Sequence, residues 1–65
     1  MESNAEDRLL PLPEVARQIG FGVATVRRLI SAGALDGVKV LGRLRVPNSS
    51  LQAFIRDLAT DREHI

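Results

Sequence analysis

Cysteine is absent from the 65 residues, so neither a disulfide nor a thiolate metal site can hold this chain together. Histidine occurs once, as His64, one residue from the end, where chains usually fray. Neither a zinc site nor a catalytic histidine site is expected. Tryptophan and tyrosine are missing, and the two aromatics, Phe21 and Phe54, both fall at apolar-face positions. Both are expected in the core, which leaves no stacking platform for single-stranded nucleic acid. No apolar run approaches the roughly 20 residues of a membrane span, and Met1-Glu2-Ser3-Asn4 does not begin a signal peptide. The acids lie mostly in the ends, and no serine has a histidine or lysine base at a suggestive spacing. No enzyme activity and no cofactor are expected.

Acids are also scarce where cations are dense. Between Glu14 and Arg56 stand seven cations (Arg17, Arg27, Arg28, Lys39, Arg43, Arg45 and Arg56) against Glu14 and Asp36. The ends carry six acids against Arg8 and Arg62, so a net charge of +1 hides a basic middle between acidic ends. That distribution suits a polyanionic partner, although a merely solvated surface fits the charges alone as well. A chain this short makes one small domain, near the lower limit for a core without staples.

The stretch from Leu12 to Ala32 organises the rest. Leu12, Val15, Ala16 and Ile19 follow the i, i+3, i+4, i+7 spacing of one buried helical face. Pro11-Leu12-Pro13 opens this helix, Glu14 places an acid in its first turn, and Gly20 ends it. A second helix runs from about Gly22 or Val23 to Ala32. Its inner face is Val26, Leu29 and Ile30, with Val23 beside them. Its outer face is Ala24, Arg27, Arg28 and Ser31, with Thr25 next to that stripe. Gly33 is placed for a left-handed stop and Leu35 for the apolar contact that follows one. Two short helices joined by a tight turn are the helix-turn-helix motif, whose second helix enters the major groove of DNA.

The period then changes from 3.6 to 2. Val38, Val40, Leu44 and Val46 alternate with Lys39, Arg43 and Arg45 around Gly42, the mark of a hairpin. A two-residue loop at Leu41-Gly42 sets Lys39 opposite Leu44 and mixes the faces. A three-residue loop, Leu41-Gly42-Arg43, sets Val40 opposite Leu44 and Lys39 opposite Arg45, keeping each face uniform. The second is expected, at the cost of two cations facing each other. Pro47 ends the hairpin. Asn48 or Ser49 caps a third helix with Leu51, Phe54, Ile55 and Leu58 on its inner face. Leu9 and Leu10 begin the fold as an extended segment packed on the core. Residues 1–8 are expected to be a disordered acidic tail, 9–58 the folded domain and 59–65 a frayed tail.

Helix, turn, helix, basic hairpin and closing helix, in that order, resemble the excisionase and MerR-type winged helix-turn-helix family. The residues that carry the resemblance are Leu12-Pro13-Glu14-Val15-Ala16-Arg17-Gln18-Ile19-Gly20, Thr25-Val26-Arg27-Arg28-Leu29-Ile30 and Gly33-Ala34-Leu35. The hairpin Val38 to Pro47 and Ser50-Leu51-Gln52-Ala53-Phe54 complete it. It implies a mainly α fold with a small β-hairpin: a helix-turn-helix, a two-stranded wing and a closing helix. By position, Thr25, Arg27 and Arg28 would face the groove, with Ala24 beside them. Lys39, Arg43 and Arg45 would be wing contacts, and Arg17 could touch the backbone from the first helix. The chain departs from the family at Gly22 and Val23, where a capping Ser or Thr and a polar or basic residue are usual. Pro11 is a further departure, standing where a capping Thr is common.

A MerR-type sensor needs a dimerisation helix and an effector domain, which 65 residues are not expected to hold. The expected function is therefore that of a phage-type excisionase, a recombination directionality factor that binds and bends double-stranded DNA. Its expected partners are DNA, an integrase and neighbouring copies of itself on DNA, with no membrane, in the cytoplasm and nucleoid of a bacterial host. The alternatives are a small transcriptional regulator of the same fold and a protein-interaction module whose basic face meets an acidic protein.

Overall fold

The computed structural model describes residues 7–64, with side chains placed for residues 7–59. In chain order the elements are β1 (Leu9–Pro11), α1 (Leu12–Ile19), α2 (Val23–Ser31), β2 (Val38–Val40), β3 (Arg43–Pro47) and α3 (Asn48–His64). Three helices and one antiparallel sheet of order β1-β3-β2 make up the fold. The expected two-stranded wing thus gains a third strand, because Leu9–Pro11 pairs with β3 through Leu10↔Val46 and Pro11↔Arg45. Strand alternation sends Leu10 into the core and leaves Leu9 41% exposed, so only one of the two leucines packs inside.

Leu12, Val15 and Ala16 bury one face of α1, and Val26 of α2 packs into the same cluster. The small Ala16 side chain lets the two helices cross closely, and the chain leaves α1 through Gly20 at φ 78°. At the end of α2 the N–H of Ala34 donates to the Leu29 carbonyl (2.9 Å) and that of Gly33 to the Ile30 carbonyl (3.1 Å). These two bonds around a left-handed glycine (Gly33, φ 87°) are the Schellman stop, and Leu35 beyond it is 2% exposed. Gly37 then passes so close to α2 that an added Cβ would lie 2.7 Å from Ile30 Cγ2.

The wing differs from the sequence expectation. Lys39 pairs with Leu44 and Val40 with Arg43, so the loop is the two-residue Leu41-Gly42. Both loop residues have positive φ (52° and 81°), as a type I′ turn requires, and this turn matches the twist of the strands it joins. Uniform faces are not required here, because β2 is not half-buried. All three β2 residues are exposed, and the core face of β3, Leu44 and Val46, is completed by Leu10 of β1 instead. Lys39 consequently faces Leu44 and Arg45 faces Val38, which removes the expected cation pair.

The first turn of α3 is tied on two sides. Ser49 Oγ donates to Asp7 Oδ1 (2.6 Å), the Asn48 N–H donates to the Arg8 carbonyl (2.8 Å), and the Asp36 N–H donates to Ser50 Oγ (2.9 Å). Asn48 and Ser49, expected as caps, lie inside this turn, and a carboxylate 42 residues away meets the Ser49 N–H. Asp7 and Arg8, expected in a disordered tail, are held here because that end of the helix favours an anion. Residues 1–6 of the expected tail lie outside the described residues. Helix α3 continues to His64, beyond the expected end at Leu58. Leu51 is fully buried and Phe54 and Ile55 pack on the core, but Leu58 is 43% exposed because the helix has by then passed the sheet. Phe21, also expected inside, is 47% exposed, since the turn after Gly20 carries it off the helical face. No helix among the described residues is long and apolar enough to cross a membrane.

The difference between the two leucines of α3 is measurable. Leu51→Ala should cost about 2–5 kcal/mol in denaturant unfolding, while Leu58→Ala should cost under about 1 kcal/mol. Equal losses would contradict the packing described.

Candidate nucleic-acid interface

The outer face of α2 carries Ala24, Arg27 and Arg28, all exposed, with Thr25 half-buried beside them. Helical spacing puts Ala24, Arg27 and Arg28 on the side away from Val26, which is fully buried. Across from this helix stands the wing. Between them lies an open cleft of about 450 Å³, floored by Pro11, Leu12 and Pro13 and walled by Val23 and Arg27 on one side. Lys39, Gly42, Arg43, Leu44 and Arg45 form the other wall.

Four of the eight residues singled out in the sequence therefore meet around one concavity: Arg27, Lys39, Arg43 and Arg45. Register explains how cations of opposite ribbon faces share it. Arg43 and Arg45 lie on the β3 face that also carries Val38 and Val40, whereas Lys39 lies on the Leu44 face, and the cleft wraps the ribbon between them. Lys39 and Arg43 are exposed and Arg45 is half-buried. Arg28 and Ala24 are on the same helix but outside the lining of this cleft. Thr25 is likewise outside it.

Arg17 stands apart on α1. Its Nη2 donates to Glu14 Oε1, and Gln18 Nε2 donates to Glu14 Oε2 (2.9 Å). The Arg17 side chain is 75% exposed, so this pair contributes about 0–1 kcal/mol and is easily exchanged for another anion. Among the described residues no group of histidine, cysteine, aspartate or glutamate is placed to hold a metal ion.

Two features were not anticipated in the sequence. Val23 was placed beside the inner face, yet it is 36% exposed and lines the cleft. Leu41, at the tip of the wing, is 99% exposed. A sequence signal existed for Leu41: alternation on both sides of Leu41-Gly42 leaves these two residues outside the ladder if the loop is short.

The N-terminus of α2 also bears on this surface. Gly22 stands at the cap position in an extended conformation (φ −85°, ψ 166°), and no side chain caps the helix. Its carbonyl accepts from the N–H groups of Thr25 and Val26 (both 3.1 Å), so the first-turn donors ahead of them are left to solvent or to an anion.

A helix-turn-helix whose second helix faces a β-ribbon across a cationic cleft, closed by a third helix, is a winged helix-turn-helix. A helix-turn-helix domain model matches residues 9–59, and the chain belongs to that family. Membership supports the binding of double-stranded DNA. Comparison with curated proteins and with solved structures finds no match.

The open cap yields a simple test. Gly22→Ser should stabilise the fold by a few tenths of a kcal/mol, raising the thermal midpoint by about 1–3 °C in calorimetry. A lower midpoint would mean that the Gly22 backbone cannot accept a side chain there.

Proposed function

We propose that α2 enters the major groove of double-stranded DNA while the β2–β3 wing lies on the adjoining backbone or minor groove. We further propose that the chain acts as an excisionase-type recombination directionality factor. One observation carries the reading: Arg27 of the helix and Lys39, Arg43 and Arg45 of the wing share one cleft with no acid among the described residues of its lining. Four cations from two elements concentrate positive potential where two phosphate strands border a groove.

Arginine grips guanine O6 and N7 bidentately, a contact worth roughly 1–3 kcal/mol of discrimination. Arg27 and Arg28 are the residues assigned to this work, one of them on a base and the other on a phosphate. Ala24 lets the helix backbone come near the base edges, and the Thr25 hydroxyl serves a phosphate at the groove's rim. Lys39, Arg43 and Arg45 hold the backbone from the wing. Arg17 adds a phosphate contact from α1 by leaving Glu14. As a directionality factor the chain performs no chemistry. Adjacent copies lie side by side on DNA near an attachment sequence, bend it, and present it to an integrase.

Selection of bound duplexes from a random pool, followed by sequencing, tests this. A short motif enriched in direct repeats is expected. Inverted repeats would point to a two-fold dimer and a promoter regulator of the same fold. No enrichment even at low salt would overturn DNA binding altogether.

Salt dependence gives a second readout. With helix and wing both engaged, the slope of log affinity against log salt should be about −3 to −6, and Lys39→Ala or Arg43→Ala should each flatten it by about 1. A native slope near −1 or shallower would rule out joint binding by helix and wing.

A further inference from the structure

We propose that Leu41 is an apolar wedge that enters the minor groove and partly unstacks a base step, so that the wing bends the DNA it holds. The inference rests on the DNA-binding reading above and assigns to the wing tip a role separate from the cations.

Leu41 is 99% exposed, the most exposed of the large apolar residues described, and it touches no part of the core. It occupies the first of two turn positions that need positive φ (52°), where asparagine, aspartate or glycine suits the backbone and leucine does not. A leucine there gains nothing from the fold of the isolated chain: it buries no surface and adopts a backbone conformation that its side chain disfavours. Its surroundings match a polyanion. Lys39 precedes it by two residues, Arg43 follows it by two, and Arg45 lies further down the same ribbon.

Geometry agrees. A two-residue turn is the narrowest closure of two strands, which run about 4.8 Å apart, and the minor groove is roughly 6 Å wide. Cations on both strands just behind the tip suit the phosphates on either side of such a groove. The apolar side chain then points at stacked bases rather than at phosphates. Leucine is among the side chains that proteins insert between base steps, trading stacking for a bent duplex that meets more protein surface. Pyrimidine–purine steps, TA above all, unstack most readily and are the expected sites.

The test uses the full chain and a mixed-sequence duplex with 2-aminopurine at several TA steps and a fluorophore pair at its ends. Native protein should raise 2-aminopurine fluorescence and shorten the end-to-end distance. Leu41→Asn and Leu41→Ala should lose both effects and bind on the order of tenfold more weakly, as the loss of one buried leucine contact implies. Neither changes a charge, so the salt slope should stay as in the native chain. Leu41→Asn, which suits the turn, should melt at or above the native temperature, showing that the loss is not unfolding.

Variants that bend the duplex and brighten 2-aminopurine as the native chain does would overturn the wedge while leaving DNA binding intact. Sedimentation showing native self-association that Leu41→Asn abolishes, with duplex bending unchanged, would place Leu41 in a protein contact and also overturn it. Failure of the native chain to bind the duplex at low salt would instead overturn the DNA-binding reading itself.

Discussion

The pairing of β3 with a strand on each side is the constraint on which the rest of the molecule depends. On one side β1 fixes Leu10 opposite Val46, and on the other β2 carries the wing. Val46 is completely buried, and around it gather Leu10, Leu12, Val15, Val26, Leu35 and Leu51 from every other part of the fold except β2. Each fully buried aliphatic side chain contributes about 1.5–3 kcal/mol, so a domain this small has few contributions to lose. The strand that anchors the core also bears Arg43 and Arg45. Position of the wing cations relative to α2 is therefore set by the core rather than by a flexible loop, which is what a rigid two-element grip on a groove requires.

The same economy explains how α3 is held. Its first two turns cover the core, through Leu51, Phe54 and Ile55. Hydrogen bonds to Ser49, Asn48 and Ser50 fasten the start of the helix to the segment before β1 and to the loop after α2. Segments far apart in the sequence thus meet at one helix terminus, and the Asp7 carboxylate is favoured there by the helix dipole. The acidic N-terminal side consequently has a structural use at Asp7 apart from any balance of charge.

Local rules made much of this legible from the residues alone. The apolar spacing of Leu12, Val15 and Ala16, the proline-rich entry to α1 and the left-handed Gly20 and Gly33 all act within a turn of the chain, so they survive folding unchanged. The exposure of Ala24, Arg27, Arg28, Lys39 and Arg43 was likewise readable from helical and strand spacing. What was not legible depends on partners distant in sequence. The hairpin register followed the turn rather than the face pattern, because the pairing of β1 with β3, which links residues some 36 positions apart, had already supplied the buried neighbour. Phe21, Val23 and Leu58 carried apolar labels that no local rule could sort into inside and outside. The convergence of Arg27 with the wing cations, and the exclusion of Arg28 from their cleft, needed the angle between α2 and the sheet.

Three of the places where the chain breaks local rules lie on the helix and ribbon that border the cleft. Alpha-helix α2 starts at an uncapped glycine, Val23 sits exposed at the cleft, and Leu41 holds a left-handed conformation at a cost on the order of 1 kcal/mol. Away from the cleft several rules hold: a Schellman stop with its apolar contact, an α3 tethered at its start, and no buried side-chain polar atom left unpartnered among the described residues, while Leu9, Phe21 and Leu58 stay partly exposed. The uncapped α2 terminus, the exposed Val23 and the strained Leu41 fit a surface whose residues are chosen for what they meet outside the fold. Under the proposed DNA-binding reading, the uncapped N–H groups of α2, the cations of the cleft and the apolar wing tip would be three parts of one contact, addressed in turn to phosphate oxygens, to the charged rim of a groove and to the stacked bases within it.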